Sequence, residues 1–287
     1  MNTVTTTEQS AASEAGAPDP SIPSPSRALL FGFGLLISVW GAMCGIGGGL
    51  FTVPFLHFVL KFPMRRAVAT SLGLVFAATS SATIAESLHT DSRIHWPLAG
   101  ALIVGSLIGA QLGFRVAKRI NARKLKLLFA VALLFVGIRV LVFAGNGSAI
   151  ADASFVIENK HLVEGFVIGL GGGFLAPIMG IGGGLVAVPA LTFGIPSLGH
   201  LGARASSMAM ATVTSGRSFW MYLKSREAVI GEVVAIGSGA AFGSMIGVQL
   251  VHLDGMAGIA RAMMGVTLLI VSGRFSWDLR PGSNFRD

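Results

Sequence analysis

A cluster of glycines occurs twice in this chain, and each copy interrupts a long apolar run. The sequence Gly-Ile-Gly-Gly-Gly-Leu at residues 45–50 recurs at residues 180–185, and a proline follows each copy, Pro54 or Pro189. Each glycine destabilises a helix interior by about 1 kcal/mol relative to alanine. The pattern predicts two helices that break in apolar surroundings, with each proline limiting or bending the helix that restarts. The glycines concerned are Gly45, Gly47, Gly48, Gly49, Gly180, Gly182, Gly183 and Gly184.

Such a break offers anion-binding chemistry from the backbone alone. The helix that restarts at Leu50 or Leu185 has first N–H groups without intrahelical partners, and the positive end of its dipole points at the break. Two such ends facing each other form a site for a compact oxyanion. The alternative is close helix packing, the common use of glycine in membranes. Duplication and the downstream proline favour the broken-helix site.

Hydroxyl and amide side chains recur near the same positions in the two halves. Their hydroxyls are expected to donate to an oxyanion, although bonding back to a helix carbonyl is an equal alternative. The two glutamines fall mid-helix, where hydrocarbon penalises an amide, so we expect them to face the site or to join helices. The residues are Thr70, Ser71, Ser206, Ser207, Gln111 and Gln249.

Two ionisable residues also fall within apolar segments. Arg217 lies inside the segment 203–223, and an intramembrane arginine indicates a functional site by default. We include it as a substrate-binding candidate, with snorkelling to the interface as the alternative. Glu86 is a candidate for proton coupling, but its closeness to the polar loop 89–95 favours a surface position.

Composition sets the fold class. The chain has 287 residues, of which 53% are hydrophobic and 12% are charged, with a mean hydropathy of +0.74. A soluble domain carries about 25% charged residues. Apolar runs near the length of a membrane span recur throughout, so the chain is predicted to be an all-α polytopic membrane protein. The net charge of +8 is explained by basic cytoplasmic loops rather than by nucleic-acid binding.

The chain divides into two homologous halves. Residues 28–144 and 162–275 form the repeats, joined by a polar linker at 145–160. A disordered tail is predicted at 1–26 and a cytoplasmic tail at 276–287. The match extends beyond the glycines, since the segment around Gln111 resembles the segment around Gln249.

Loop charge selects the topology. If each broken segment crossed the membrane once, the basic residues would be divided almost evenly between the two sides. If each turns back at its glycines, the bias becomes strong, and the two halves are inverted, each with a re-entrant helix pair and three transmembrane helices. Both termini are then cytoplasmic. The cytoplasmic set is Arg27, Lys61, Arg65, Arg66, Lys118, Arg119, Arg123, Lys124, Lys126, Lys224, Arg226, Arg274, Arg280 and Arg286, against Arg93, Lys160, Arg204 and Arg261 outside.

The doubled Gly-Ile-Gly-Gly-Gly…Pro motif at 45–54 and 180–189, with Ala69-Thr70-Ser71 and Ala205-Ser206-Ser207, resembles the TauE/SafE sulfite exporter family, also called the toluene sulfonate uptake permeases. The resemblance covers residues 28–275. It implies export of a small sulfur-containing anion, such as sulfite or sulfoacetate, across the bacterial inner membrane. Uptake of a related organic anion, or a channel, is the alternative.

Other classes of function are less well supported by the residues. The six histidines are scattered, mostly at segment edges, and the single Cys44 excludes a paired-cysteine metal site, so neither catalysis nor a metal or cofactor is expected. The expected partners are a small anion and the lipid bilayer, and no nucleic acid. The sequence leaves open whether copies of the chain form a homo-oligomer.

Overall fold

The protein is an all-α polytopic membrane protein. A computed structural model describes residues 26–119 and 157–253, with single residues at 127, 134, 256, 266, 269 and 273. These residues include five helices of membrane-spanning length and composition, or six spans if one bent helix pair is counted as a span. Apart from those single residues, the predicted third crossings at 125–144 and 257–274 lie outside the described residues, as do residues 1–25, most of the linker and the C-terminal tail.

Both halves show the same order of elements. A helix ends at the glycine break, a short helix follows, and two long helices come next. In the first half these are α1 (Arg27–Cys44), α2 (Gly49–Pro54), α3 (Met64–Leu88) and α4 (Trp96–Arg119). In the second half they are α5 (Asn159–Met179), α6 (Gly184–Gly194), α7 (Gly199–Lys224) and α8 (Ile230–Val251).

The short helices end differently in the two halves. Pro54 is the last α-helical residue of α2, which continues directly as a π-helical turn, Phe55–Val59. Because proline cannot donate the next helical hydrogen bond, this change of geometry is what its position predicts. In α6, Pro189 is buried and the helix continues to Gly194. The chain bends by 106° between α6 and the segment Pro196–Lys224.

The glycine breaks reverse the chain. A Cβ atom built on Gly48 would lie 3.0 Å from Cγ2 of Ile37, which is well back along α1. Further on, the ring of Phe55 stacks on Phe33 with centroids 3.6 Å apart, so α2 runs back along α1. In the second half, a Cβ atom built on Gly172 would lie 3.0 Å from the carbonyl oxygen of Gly183. Each break is therefore the tip of a helical hairpin.

The hairpins pack against helices of the opposite half through stripes of glycine. On α4, Gly105, Gly109 and Gly113 contact the backbone carbonyls of Phe166, Leu170 and Phe174 on α5. On α8, Gly239, Gly243 and Gly247 contact those of Phe31, Leu35 and Val39 on α1. Along each contact the residue numbers of the two helices increase in the same direction. Helix α4 therefore runs parallel to α5, and α8 runs parallel to α1. Only glycine permits such close approach of two backbones.

Helices α3 and α7 form the centre of the bundle. They are antiparallel, since Phe76 packs on Gly216 while Thr83 hydrogen-bonds Thr212 at 3.2 Å. Thr70 and Ser71 on α3 and Ser206 and Ser207 on α7 are buried. The two hairpins lie against this central pair, so the breaks are surrounded by protein.

The bundle has two chemically different ends. At the basic end, Arg65 donates to the backbone carbonyl of Lys118 at 3.1 Å and faces Glu227 at 3.8 Å, while Arg66 pairs with Glu232. At the histidine end, the rings of His89 and His252 stack 4.1 Å apart, and the backbone N–H of His95 donates to Ser206. These two groups of residues define the basic end and the histidine end of the bundle.

Candidate functional site

The two glycine breaks adopt the same backbone conformation. Gly45, Gly47 and Gly48 have φ values of 78°, 67° and 82°, and the equivalent residues of the second break have 75°, 70° and 86°. Residues with a Cβ atom rarely adopt this left-handed region. The conformation explains why glycine is needed at these positions, and it ends α1 and α5 with a left-handed cap.

The tips of the two hairpins cross in direct contact. A Cβ atom built on Gly49 would lie 2.7 Å from the carbonyl oxygen of Gly180. In the equivalent contact, a Cβ built on Gly184 would lie 2.7 Å from the carbonyl oxygen of Gly45. Both breaks are fully buried. The structure therefore brings the two sets of predicted glycines together in the interior of the bundle.

The restarting helices point their N-termini into this crossing. The described backbone hydrogen bonds include none donated by the N–H groups of Gly49, Leu50, Gly184 or Leu185. The first N–H groups of a helix lack intrahelical acceptors, and the helix dipole places partial positive charge there. Two such ends in one buried place make a backbone site with affinity for an anion.

The hydroxyl candidates divide into partnered and unpartnered groups. Ser71 donates to the carbonyl oxygen of Gly180 at 2.7 Å, and Ser206 accepts the backbone N–H of His95 at 3.2 Å. Thr70 and Ser207 are buried, and their hydroxyls make no hydrogen bond to a described residue. Ser207 Oγ also lies 3.6 Å from a Cβ built on Gly184. Ser207 and Thr70 therefore keep a free donor, and Ser207 keeps it beside the crossing.

Gln111 and Gln249 do not line this crossing, contrary to the prediction. Both side chains are exposed on the outer faces of α4 and α8. The glycine contacts show why the sequence match was wrong. Gly109 packs on Leu170 of α5 and Gly243 packs on the equivalent Leu35 of α1, so Gly109 is equivalent to Gly243 rather than to Gly247. Because glycine recurs every fourth residue, the two helices can be aligned one turn out of register with their glycines still matched.

Arg217 is half-buried on α7, two residues beyond Ser215, whose Cβ lies 3.4 Å from a Cβ built on Gly182. Ser215 itself donates to the carbonyl of Ala211, within its own helix. The described contacts of the crossing glycines do not include Arg217. The structure thus places Arg217 near the second break but outside the crossing.

Glu86 is fully buried, and its predicted surface position is wrong. Its carboxylate pairs with Arg204, which is also fully buried. The sequence placed Glu86 beside a polar loop and Arg204 at the membrane edge. The bend before α7 instead turns Arg204 into the protein, where it meets the end of α3. Sequence reasoning missed this ion pair because the two residues are 118 positions apart.

The ion pair adjoins the tip of the first hairpin. Nη1 of Arg204 donates to the carbonyl oxygen of Ala42 at 3.0 Å, and a Cβ built on Gly45 would lie 2.8 Å from Cγ of Arg204. On the other side, Nε2 of His252 lies 3.2 Å from Oε2 of Glu86. A charged group thus lies one residue from the glycine crossing.

The remaining neighbour on this side is His95. Burial lowers the pKa of His95, with a smaller contribution from the nearby charge of Arg93. Both effects favour the neutral imidazole. The ring of His95 lies beside Gly202 of α7, with Cδ2 3.5 Å from a Cβ atom built there, so a histidine that favours its neutral form belongs to this end.

Comparison with known proteins agrees with this architecture. A sequence profile of the sulfite exporter TauE/SafE family matches residues 4–140 and 165–286. The chain belongs to this family. The TauE/SafE match covers most of the chain and includes both glycine breaks.

Curated relatives are named as transporters. The chain is 29% identical over 180 residues to a probable membrane transporter protein of Methanocaldococcus jannaschii, covering 57% of this chain and 60% of the relative. A probable membrane transporter protein of Haemophilus influenzae is 28% identical over 162 residues, covering 54% and 57%. The matched segment of YunE, from Bacillus subtilis, is 26% identical over 110 residues and covers 38% of this chain and 39% of the relative. These matches thus span less than two thirds of each relative. No solved structure matches the chain.

Proposed function

We propose that this membrane transporter exports a small sulfur-containing anion, sulfite or an organosulfonate such as sulfoacetate, across the inner membrane. Uptake of a related organic anion, or a channel, is the alternative. The observation that carries the proposal is the buried crossing, where the N–H groups of Gly49, Leu50, Gly184 and Leu185 donate to no described residue. An oxyanion offers several acceptor oxygens to donors of this kind.

The donors at the crossing suit a compact anion. Backbone N–H groups and hydroxyls are neutral donors that the fold holds in fixed positions. The proposed set consists of the glycines of both breaks with Thr70, Ser71, Ser206 and Ser207. Ser71 is already committed to the carbonyl of Gly180, so we expect it to hold the hairpin in place while Ser207 contacts the anion. The name of the family supplies the preference for sulfur.

We infer that the two halves are inverted. The support comes from helix direction: α1 runs parallel to α8 and α5 runs parallel to α4, whereas α3 and α7 are antiparallel. With these directions, the first hairpin opens toward the basic end and the second toward the histidine end. Inverted repeats whose broken helices meet at one site are a common basis for alternating access.

We place the basic end in the cytoplasm, because short cytoplasmic loops carry an excess of lysine and arginine. In the described chain this end includes Lys61, Arg65, Arg66, Lys118, Arg119, Lys224 and Arg226. The histidine end then faces the periplasm of a bacterial cell. Each hairpin mouth would admit the anion from its own side of the membrane.

Flux into proteoliposomes tests the proposal. Purified full-length chain is reconstituted, and internal sulfite or sulfoacetate is exchanged against external labelled anion. We expect exchange that saturates with concentration and that stops when Gly184 is replaced by alanine. Gly171→Ala is the matched control, since a Cβ built on Gly171 meets nothing within 4 Å. Absence of flux for every sulfur anion, under any gradient, would overturn the substrate assignment.

A further inference from the structure

The Arg204–Glu86 pair joins four helices at the histidine end. Arg204 comes from α7 and Glu86 from α3. The carbonyl of Ala42 on α1 accepts from Arg204, and His252, which directly follows α8, lies beside Glu86. Breaking a buried ion pair by removing one partner is strongly destabilising, so this contact is a major constraint on how these helices move.

The guanidinium of Arg204 is only partly used. Nη1 is bound to Ala42 and Nη2 to Glu86, whereas Nε makes no hydrogen bond to a described residue. The N–H groups of Nε and Nη2 form a fork that suits two oxygens of one oxyanion. Glu86 accepts a hydrogen bond from Nη2 alone, through its single oxygen Oε2. The buried Nε, which has no partner among the described residues, points to a ligand that accepts hydrogen bonds from both Nε and Nη2.

The position of Arg204 connects this fork to the glycine crossing. Gly45 packs against Cγ of Arg204, and the carbonyl of Gly45 lies against Gly184. An oxyanion at the fork is therefore separated from the N-terminus of α6 by one residue. The hydroxyl of Ser207, which makes no hydrogen bond to a described residue, lies on the same helix one turn further on.

We propose that the transported anion displaces Glu86 from Arg204 and that Glu86 takes up a proton when this happens. The inference rests on the proposed function, since it assigns the coupling of that same site. An anion on the fork removes the counter-charge of a fully buried carboxylate. The carboxylate then becomes neutral, because an unpaired charge in that place is costly.

His252 provides the route for the proton. Its Nε2 lies 3.2 Å from Oε2 of Glu86, and its ring stacks on His89, which is half-buried and directly follows α3. The proton passes from water to His252 and from Nε2 to Oε2, and no bond within the anion changes. The other groups that the described contacts place against the pair are the backbone N–H of Arg93, which donates to Oε1 of Glu86, Sδ of Met208, 3.8 Å from Nη1 of Arg204, and the Cys44 thiol near Arg204.

The positions equivalent to Arg204 and Glu86 at the other hairpin tip hold no ion pair. Tyr222 stands where Glu86 would be repeated, and it donates to the carbonyl of Pro177 as Arg204 donates to that of Ala42. Val68 stands in the place of Arg204 and packs against Gly180 as Arg204 packs against Gly45. The tip of the first hairpin is thus held by an ion pair and the tip of the second by a neutral hydrogen bond. The asymmetry assigns proton coupling to the histidine end.

Proton coupling is compatible with export and with uptake. A monovalent anion that moves with one proton carries no net charge, so the sum of the anion and proton gradients sets the direction. An anion that accumulates inside the cell would leave together with a proton. The membrane potential would then not contribute to the driving force.

Proton uptake on anion binding tests the inference. The probe is methanesulfonate, whose sulfonate stays ionised across the pH range, added to detergent-purified full-length chain in weak buffer with a pH-indicator dye. We expect uptake of about one proton per bound anion, and an apparent Kd that rises about tenfold per pH unit where Glu86 is ionised in the free protein. Glu86→Gln removes the competing carboxylate, so we expect tighter binding, no proton uptake and no dependence on pH.

Two further variants make the result decisive. Tyr222→Phe, at the equivalent position of the basic end, should keep the proton uptake of the unmodified chain. The double variant with Glu86→Gln and Arg204→Gln lacks both charges of the pair, and it should stay folded by size-exclusion chromatography while binding methanesulfonate more weakly and without proton uptake. Anion binding without proton uptake overturns the coupling and leaves the transport function standing. Absence of binding by methanesulfonate, sulfite and sulfoacetate contradicts the transport function itself.

Discussion

Gly49 lies directly on the carbonyl oxygen of Gly180, and the gap leaves no room for a side chain. The equivalent contact between Gly184 and Gly45 makes the crossing reciprocal. Each hairpin tip therefore limits the position of the other. A shift of one hairpin changes the surroundings of the other, which is the mechanical link that an alternating-access site requires.

The first prediction concerns this contact. Gly49→Ala adds a methyl group 2.7 Å from the carbonyl of Gly180, which forces the hairpins apart. We expect loss of anion exchange in proteoliposomes by more than about tenfold, with the protein still folded because the change is a single methyl. Gly100→Ala is a suitable control, since a Cβ there meets nothing within 4 Å. Equal loss of exchange in both variants would contradict the role of the crossing.

The second prediction separates two serines of the site. Ser71→Ala removes a hydrogen bond to the carbonyl of Gly180 and should lower stability by about 1 kcal/mol. Ser207→Ala removes a hydroxyl that makes no hydrogen bond to a described residue, so we expect little change in stability and weaker anion binding. Thermal unfolding in detergent, with and without sulfite, distinguishes these effects. A loss of stability in the Ser207 variant as large as that in the Ser71 variant would count against the assignment.

The third prediction concerns the glycine stripes. Gly109→Leu and Gly243→Leu each place a large side chain against a backbone carbonyl of the neighbouring hairpin helix, Leu170 or Leu35. We expect both variants to lose folded protein, because the helices cannot separate without exposing the breaks. Folded yield by size-exclusion chromatography measures this. Gly231→Leu, at an open position on α8, should behave as the unmodified chain, and a similar loss there would show that bulk alone explains the effect.

The fourth prediction concerns orientation. Cys44 is the single cysteine and is buried, so introduced cysteines can be labelled against a low background. Lys61→Cys lies at the basic end and Asp91→Cys at the histidine end, both exposed. In intact cells, a membrane-impermeant thiol reagent should label position 91 and should spare position 61. Labelling of both positions, or the reverse pattern, contradicts the cytoplasmic placement of the basic end.

Much of the fold could be predicted from the sequence because glycine and apolar patterns act locally. The glycine breaks and their chain reversal follow from helix propensity and loop charge. The breaks are also the part of the candidate site that the structure brings together. The sequence indicated them because the cluster recurs with a proline after each copy, whereas Gly169, Gly171, Gly172 and Gly173 form a similar cluster that stays within α5.

The ion pair and the glutamines show where local reasoning fails. Arg204 counted as a loop charge, whereas the structure places it inside α7 and buries it fully. Glu86 was placed at the surface because its partner lies on a distant helix. Gln111 and Gln249 were matched one helical turn out of register. In each case the deciding contact is between helices that are far apart in sequence.

The most direct test of the anion site is a crystal structure with a bromine-labelled alkylsulfonate and anomalous scattering. The account predicts sulfonate oxygens within about 3 Å of backbone N–H groups at Gly49 or Gly184 and a bromine peak beside the crossing. The same experiment on Gly49→Ala should show no peak there. A sulfonate bound only away from both glycine breaks in the unmodified chain would contradict the account.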